Sequence, residues 1–219
     1  MKKIVLLLVA LFSFSIAQAQ VKLGIKGGIN YSNVAGNLQD EINYDNKVGF
    51  LGGVTANIPL VGDGFLSLQP ELLYSQKGYQ YLDQEVTINN AKYSLKGKRN
   101  FNYLDLPVLL RVNAAGLIFE AGPQASYLLA IRDKTEMENE GTGNDDKTRM
   151  KIEKDNLAEL EIGYVAGVGY QTPMGVGIGL RYNGSINHLA KSDPNNDELV
   201  NARHSAFQLQ LSYVLGGSR

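Results

Sequence analysis

Val21-Lys22-Leu23-Gly24-Ile25-Lys26-Gly27-Gly28-Ile29-Asn30-Tyr31 alternates with a period of two. Val21, Leu23, Ile25, Gly27, Ile29 and Tyr31 fall on one side of an extended chain. Lys22, Gly24, Lys26, Gly28 and Asn30 fall on the other. A helix, turning about 100° per residue, would scatter both sets, whereas a strand separates them. Seven further runs read the same way: 48–58, 65–77, 99–112, 117–131, 157–171, 176–188 and 203–215. Their apolar sides include Phe50 and Val54, Leu68 and Leu72, Leu106 and Leu110, Phe119 and Tyr127, Ile162 and Val168, Ile178 and Leu180, and Leu209 and Leu211. The other sides carry charges, amides, hydroxyls and many glycines.

The connectors between runs are long and short in turn. Segments 33–47, 78–98, 132–156 and 189–202 are long, and 59–64, 113–116 and 172–175 are short. Short turns at one end and long loops at the other are the plan of an up-and-down membrane barrel. The reading is an all-β fold, an eight-stranded antiparallel up-and-down transmembrane β-barrel. A soluble barrel with the same alternation would turn its apolar face inward. The glycines decide against it: Gly24, Gly28, Gly53, Gly163, Gly167, Gly169, Gly177 and Gly179 all lie on the polar face. An eight-stranded interior is just wide enough for side chains, and glycine makes room there for Lys, Arg and Glu. Tyr31, Tyr74 and Tyr127 fall at the long-loop ends, and Tyr170, Tyr213, Phe65 and Phe119 nearer the short turns, where amphipathic rings favour the two membrane interfaces. Pro70, Pro107 and Pro123 interrupt runs and cannot donate to a ladder, so bulges or rim positions are expected there.

Composition agrees. The 219 residues are 44% apolar and 20% charged, with 24 Gly and no Cys or Trp. Without cysteine there is no disulfide, thiolate metal site or cysteine nucleophile. A net charge of −1 gives no basic footprint for nucleic acid. At the N-terminus, Lys2-Lys3, the apolar stretch from Ile4 to Ile16 and Ala17-Gln18-Ala19 have the form of a secretory signal peptide. The domain reading is therefore residues 1–19 as signal peptide and 20–219 as barrel, in the cell outer membrane.

Four motifs carry a family resemblance: Gly24-Ile25-Lys26-Gly27-Gly28-Ile29-Asn30, then Gln69-Pro70-Glu71-Leu72-Leu73-Tyr74-Ser75-Gln76-Lys77-Gly78, then Tyr103-Leu104-Asp105-Leu106-Pro107, then Ala121-Gly122-Pro123. In this order they resemble the PorT-type outer-membrane β-barrel family, porin-like small barrels of Gram-negative bacteria. The resemblance implies an eight-stranded barrel whose founding member is linked to protein secretion, and it brings no catalytic residues. The sequence departs from outer-membrane habit at its end, where Tyr213 is followed by Val214-Leu215-Gly216-Gly217-Ser218-Arg219 instead of closing on an aromatic.

Chemistry-bearing patterns are sparse. Gly175-Val176-Gly177-Ile178-Gly179 opens a strand and lacks the spacing of a nucleotide loop. Asp193-Pro194-Asn195-Asn196-Asp197 begins like a calcium loop, but Glu198 and His204 stand where such a loop needs Gly and Glu. His188, His204, Ser185, Ser205 and Asp193 gather around the last long connector, the one arrangement from which a lipid-acting barrel enzyme could be built. The reading is that the protein is not an enzyme and takes no cofactor or metal.

The inward charges are balanced: Lys22, Lys26, Arg111 and Arg181 against Glu71, Asp105, Glu120 and Glu161. A ring of one sign would suggest ion selectivity. A balanced set predicts mutual pairing, a lumen largely plugged, and Arg111 reaching Glu71 and Glu120. The functional expectation is a structural or interaction barrel. The alternatives are a narrow solute channel or a secretion accessory, with the lipid-acting enzyme behind them. Outer-membrane lipid is the expected surrounding, a protein partner would dock on loops 78–98 and 132–156, no nucleic acid is involved, and a monomer is expected.

Overall fold

The computed structural model describes residues 21–35, 44–61, 64–88, 91–139, 145–150, 158–189 and 202–215. The proposed signal peptide, 1–19, lies outside them. The described residues form nine strands: β1 (Lys22–Ala35), β2 (Tyr44–Val61), β3 (Leu66–Ile88), β4 (Ala91–Ala114), β5 (Leu117–Asn139), β6 (Asp145–Met150), β7 (Leu160–Gln171), β8 (Val176–Ser185) and β9 (Arg203–Val214). Among the described residues every strand pairing is antiparallel, in the order β4-β3-β2-β1-β9-β8-β7-β5, and a β4–β5 pairing closes the ring. Eight strands thus form the expected barrel. The ninth, β6, pairs with Asp133–Glu138 of β5, above the stretch that β7 occupies.

The ring closes with a stagger. Cross-strand partners run from Asn113 on β4 through Ile118, Gly169, Gly179, Gln210, Gly28, Leu51 and Ser75, and return to β4 at Tyr103, ten residues from the start. Such a shear tilts the strands and fixes the width of a closed barrel.

The faces fall as the alternation requires. Leu23, Ile25, Ile29, Phe50, Val54, Leu106, Leu110, Val168, Ile178, Leu180, Leu209 and Leu211 are all exposed on the outer surface. Lys26, Asn30, Glu71, Asp105, Arg111, Glu161, Arg181 and Gln208 are buried inside. The outward aromatics make local contacts: Tyr182 packs on Phe207 with centroids 5.2 Å apart, and Phe50 on Tyr74 at 5.6 Å.

Two expectations need correction. Segments 78–98 and 132–156 are not loops throughout. β3 and β4 continue as a ladder to Ile88↔Ala91, and β5 and β6 pair within the second segment. With 23 residues in β3 and 24 in β4, these strands far exceed the roughly 9–11 that cross a bilayer. Beyond the bilayer neither face must be apolar, so the one-sided pattern fades while the backbone pairing persists.

The prolines also behave differently. The register shifts lie elsewhere, between Asn46 and Leu51, Pro59 and Val61, Tyr81 and Gln84, and Asn102 and Tyr103. The β3–β4 ladder pauses between Pro70↔Val108 and Leu73↔Asp105, then resumes in the same register. The β4–β5 ladder does so between Pro107↔Gln124 and Leu110↔Ala121. A proline removes a donor without adding a residue, so the ladder skips and does not slip. The shift at Asn102/Tyr103 leaves Leu129 as an extra residue on β5. Beyond it Ile131 pairs with Phe101, and both are buried.

Candidate functional site

The lumen is the candidate site, and its side chains form layers set by strand register. At the short-turn mouth is a cavity of about 440 Å³, whose lining includes Lys22, Asn57, Ser67, Arg111, Asn113, Tyr170 and Gln171. Above it the space falls to about 30 Å³ among Lys26, Gln69, Arg111, Glu120 and Gln210. Arg111 borders both. Its guanidinium donates to the side-chain oxygens of Gln69 and Gln171.

The next layer crosses the barrel. Arg181 donates through both terminal nitrogens to the carboxylate of Glu71, at 2.7 and 2.8 Å, and through Nε to Glu120. Lys26 pairs with Glu71 at 2.6 Å, and Gln69 donates to the same carboxylate at 2.6 Å. β3 and β8 stand opposite in the ring, as do β1 and β5. Glu71–Arg181 is therefore a bridge across the full width. Glu120, Gly167 and Arg181 are successive partners on β5, β7 and β8. A Cβ at Gly167 would stand 2.7 Å from Cγ of Arg181 and 3.3 Å from Glu120, so the missing side chain is what lets the pair meet.

Higher up, Lys77 lies 3.4 Å from Asp105 and 3.5 Å from Glu161, and His204 lies 2.8 Å from Glu161. The His204 ring meets Phe101 edge-on at 4.9 Å between centroids and Tyr103 at 5.7 Å. Over this layer sits an apolar cluster of Val34, Tyr79, Phe101, Tyr103, Leu128, Ile131, Leu189 and Ala202. All eight are buried, so the long-loop end is packed with side chains.

Of the eight charges singled out in the sequence, Lys26, Glu71, Glu120 and Arg181 form one cluster, and Asp105 and Glu161 a second one around Lys77. Lys22 sits at the mouth. Arg111 departs from expectation, since it meets two glutamines and neither Glu71 nor Glu120. Glu120 is its cross-strand partner, yet that carboxylate turns to Arg181 over the gap at Gly167.

Lys77 and His204 were missed as lumen residues. Parity could have found Lys77, which shares the side of Glu71 six residues earlier. His204 shares the side of Gln208 and Gln210 but drew attention only as part of a rim cluster. That cluster is divided: His204 is buried in the lumen, while His188 is exposed beside Arg203, 3.2 Å away. Asp193 lies outside the described residues.

The family model for an outer membrane protein beta-barrel domain matches residues 16–191. A comparison with curated proteins gives no match. Solved structures give several. Ail, the attachment invasion locus protein of Yersinia pestis, is 13% identical over 89% of this chain and 98% of its own, with a TM-score of 0.45. Neisserial surface protein A is 13% identical over 87% and 96%, at 0.38. The outer membrane protease OmpT of Escherichia coli is 11% identical over 90% and 96%, at 0.33.

Proposed function

Because this chain belongs to the outer membrane protein beta-barrel domain family and resides in the outer membrane, we propose that it is a structural or interaction barrel whose lumen is closed to solutes. The observation that carries this is the Glu71–Arg181 bridge across the barrel. An unpaired charge in so confined a space would be costly, and a charge held by an opposite one on the far wall leaves no continuous aqueous path. The apolar cluster at the long-loop end adds a second closure. Outward leucines, isoleucines and valines suit a lipid surrounding, and the protein acts as a monomer.

The interaction surface is the part of β3, β4, β5 and β6 that continues beyond the bilayer band within the segments 78–98 and 132–156, of which 89–90, 140–144 and 151–156 lie outside the described residues. No catalytic role is assigned. The division of His188 from His204 supports that reading, since a base and its partners for lipid chemistry would have to converge. Liposomes carrying the refolded barrel test the closure. Absence of swelling in small sugars supports it, and rapid swelling would favour a narrow channel.

The motifs at Gly24–Asn30, Gln69–Gly78 and Tyr103–Pro107 support a narrower placement near PorT-type barrels, and with it a secretion accessory role. A pull-down from solubilised outer membranes addresses this. Recovery of secretion components would favour the accessory role, and their absence would leave the simple barrel.

A further inference from the structure

We propose that the cavity at the short-turn mouth is an oxyanion-binding site facing the periplasm, with Arg111 as its base and Lys22 at its rim. Lys26, Lys77 and Arg181 each contact a carboxylate directly. Arg111 does not, and its contacts are the neutral oxygens of Gln69 and Gln171. A guanidinium has five N–H donors, and these two contacts leave donors unspent. The two glutamines also fix the plane of the fork, so less freedom is lost when a ligand binds.

The surroundings suit an anion. The cavity holds about 440 Å³, room for a small ion and several waters, since liquid water takes roughly 30 Å³ per molecule. Its described lining carries Lys22 and Arg111 and no carboxylate. Asn57, Ser67 and Asn113 add polar groups around the wall, and Phe65 and Tyr170 border it. Paired donors on a planar fork match a carboxylate or phosphate edge. Short turns of outer-membrane barrels face the periplasm, so the ligand arrives from that side. It stops at the Arg111 layer, where the free space narrows to about 30 Å³. This site does not need the closed lumen to have a structural role, and it would persist if the barrel above it conducted.

Inorganic phosphate is the probe, titrated into the refolded mature protein in a phosphate-free detergent at constant ionic strength. Saturable uptake at one site is expected, weakened at least tenfold in Arg111→Gln and severalfold in Lys22→Gln, and unchanged in Lys98→Gln at the opposite end. A second arm uses a short-chain phosphatidic acid. Saturation by inorganic phosphate identifies a free ion as the ligand, and saturation by the lipid alone identifies a headgroup. Should Arg111→Gln fail to fold, Lys22→Gln at the rim carries the test. No saturable uptake of either probe by the folded wild type, or equal uptake by wild type and Lys22→Gln, would overturn the proposal.

Discussion

Arg181 on β8 holds Glu71 on β3 through both terminal nitrogens, at 2.7 and 2.8 Å, across the widest separation that an eight-stranded ring offers. Neither residue is near the other in sequence or within its own pair of neighbouring strands. The contact exists only because the sheet is closed, so it reports on closure itself. It also occupies the centre of the lumen, where a solute would pass.

Removing one side of this bridge leaves buried charge behind. Arg181→Ala strips Glu120 of its ion pair and leaves Glu71 with Lys26 as its one cation and Gln69 as a neutral donor. The expected loss is about 3–5 kcal/mol, the range for breaking a buried pair. Urea unfolding followed by tyrosine fluorescence measures it. A loss below about 1 kcal/mol would mean that the bridge contributes little to the barrel.

Arg111→Ala is expected to cost less. It leaves the Gln171 oxygen without its donor and the Gln69 oxygen with only a 3.4 Å contact from Asn57, a penalty of about 1–3 kcal/mol. The same unfolding assay should rank Arg181→Ala above Arg111→Ala, and both above Lys147→Ala on β6. The reverse order would make Arg111 the main tie within the lumen.

This ranking shows what the sequence could and could not tell. Parity alone places Lys26, Glu71, Arg111 and Arg181 inside, because one lipid-facing side must be apolar at every second position. Pairing is a different matter. Alternation says which side a residue faces, and the order of strands says which are neighbours. Neither gives the height at which two strands meet. Arg111 and Glu120 do face each other in register, as neighbours should. The carboxylate nevertheless goes to Arg181, because Gly167 between them carries no side chain to block the longer reach. In the apolar cluster over His204, parity puts Tyr79, Phe101, Tyr103 and Leu128 inside, on the sides of Lys77, Asp105 and Ser126, but it misplaces Ile131. Ile131 faces inward only after the extra residue at Leu129, and a bulge flips the phase of every position beyond it.

The role of Gly167 is testable. Gly167→Ala would press a methyl within 2.7 Å of the Arg181 side chain and 2.9 Å of the Leu180 carbonyl oxygen. Overpacking of this kind costs about 1–3 kcal/mol. Gly179→Ala on β8 is the matched control, since its methyl would stand 3.4 Å from its nearest neighbour, the Val168 carbonyl oxygen. Folding yields and urea midpoints should fall for the first and hold for the second. Equal behaviour would remove Gly167 as the space-maker for the bridge.

The outer face has its own probe. Val108 lies between Leu106 and Leu110 on the outward side of β4, both of which are exposed. It stands near the middle of the membrane part of that strand, where Arg costs about 2–4 kcal/mol. Val108→Arg should therefore fold poorly into bilayers and unfold at lower urea. Unchanged assembly would place this side of β4 away from lipid.

The most direct measurement of the closed lumen is single-channel recording of the wild-type barrel in planar bilayers. The cross-barrel bridge and the apolar cluster above it predict a quiet membrane, with no steady conductance over a range of voltages and salt concentrations. A reproducible open pore in the unmodified protein would contradict the closure, and with it the reading of Glu71–Arg181 as a plug.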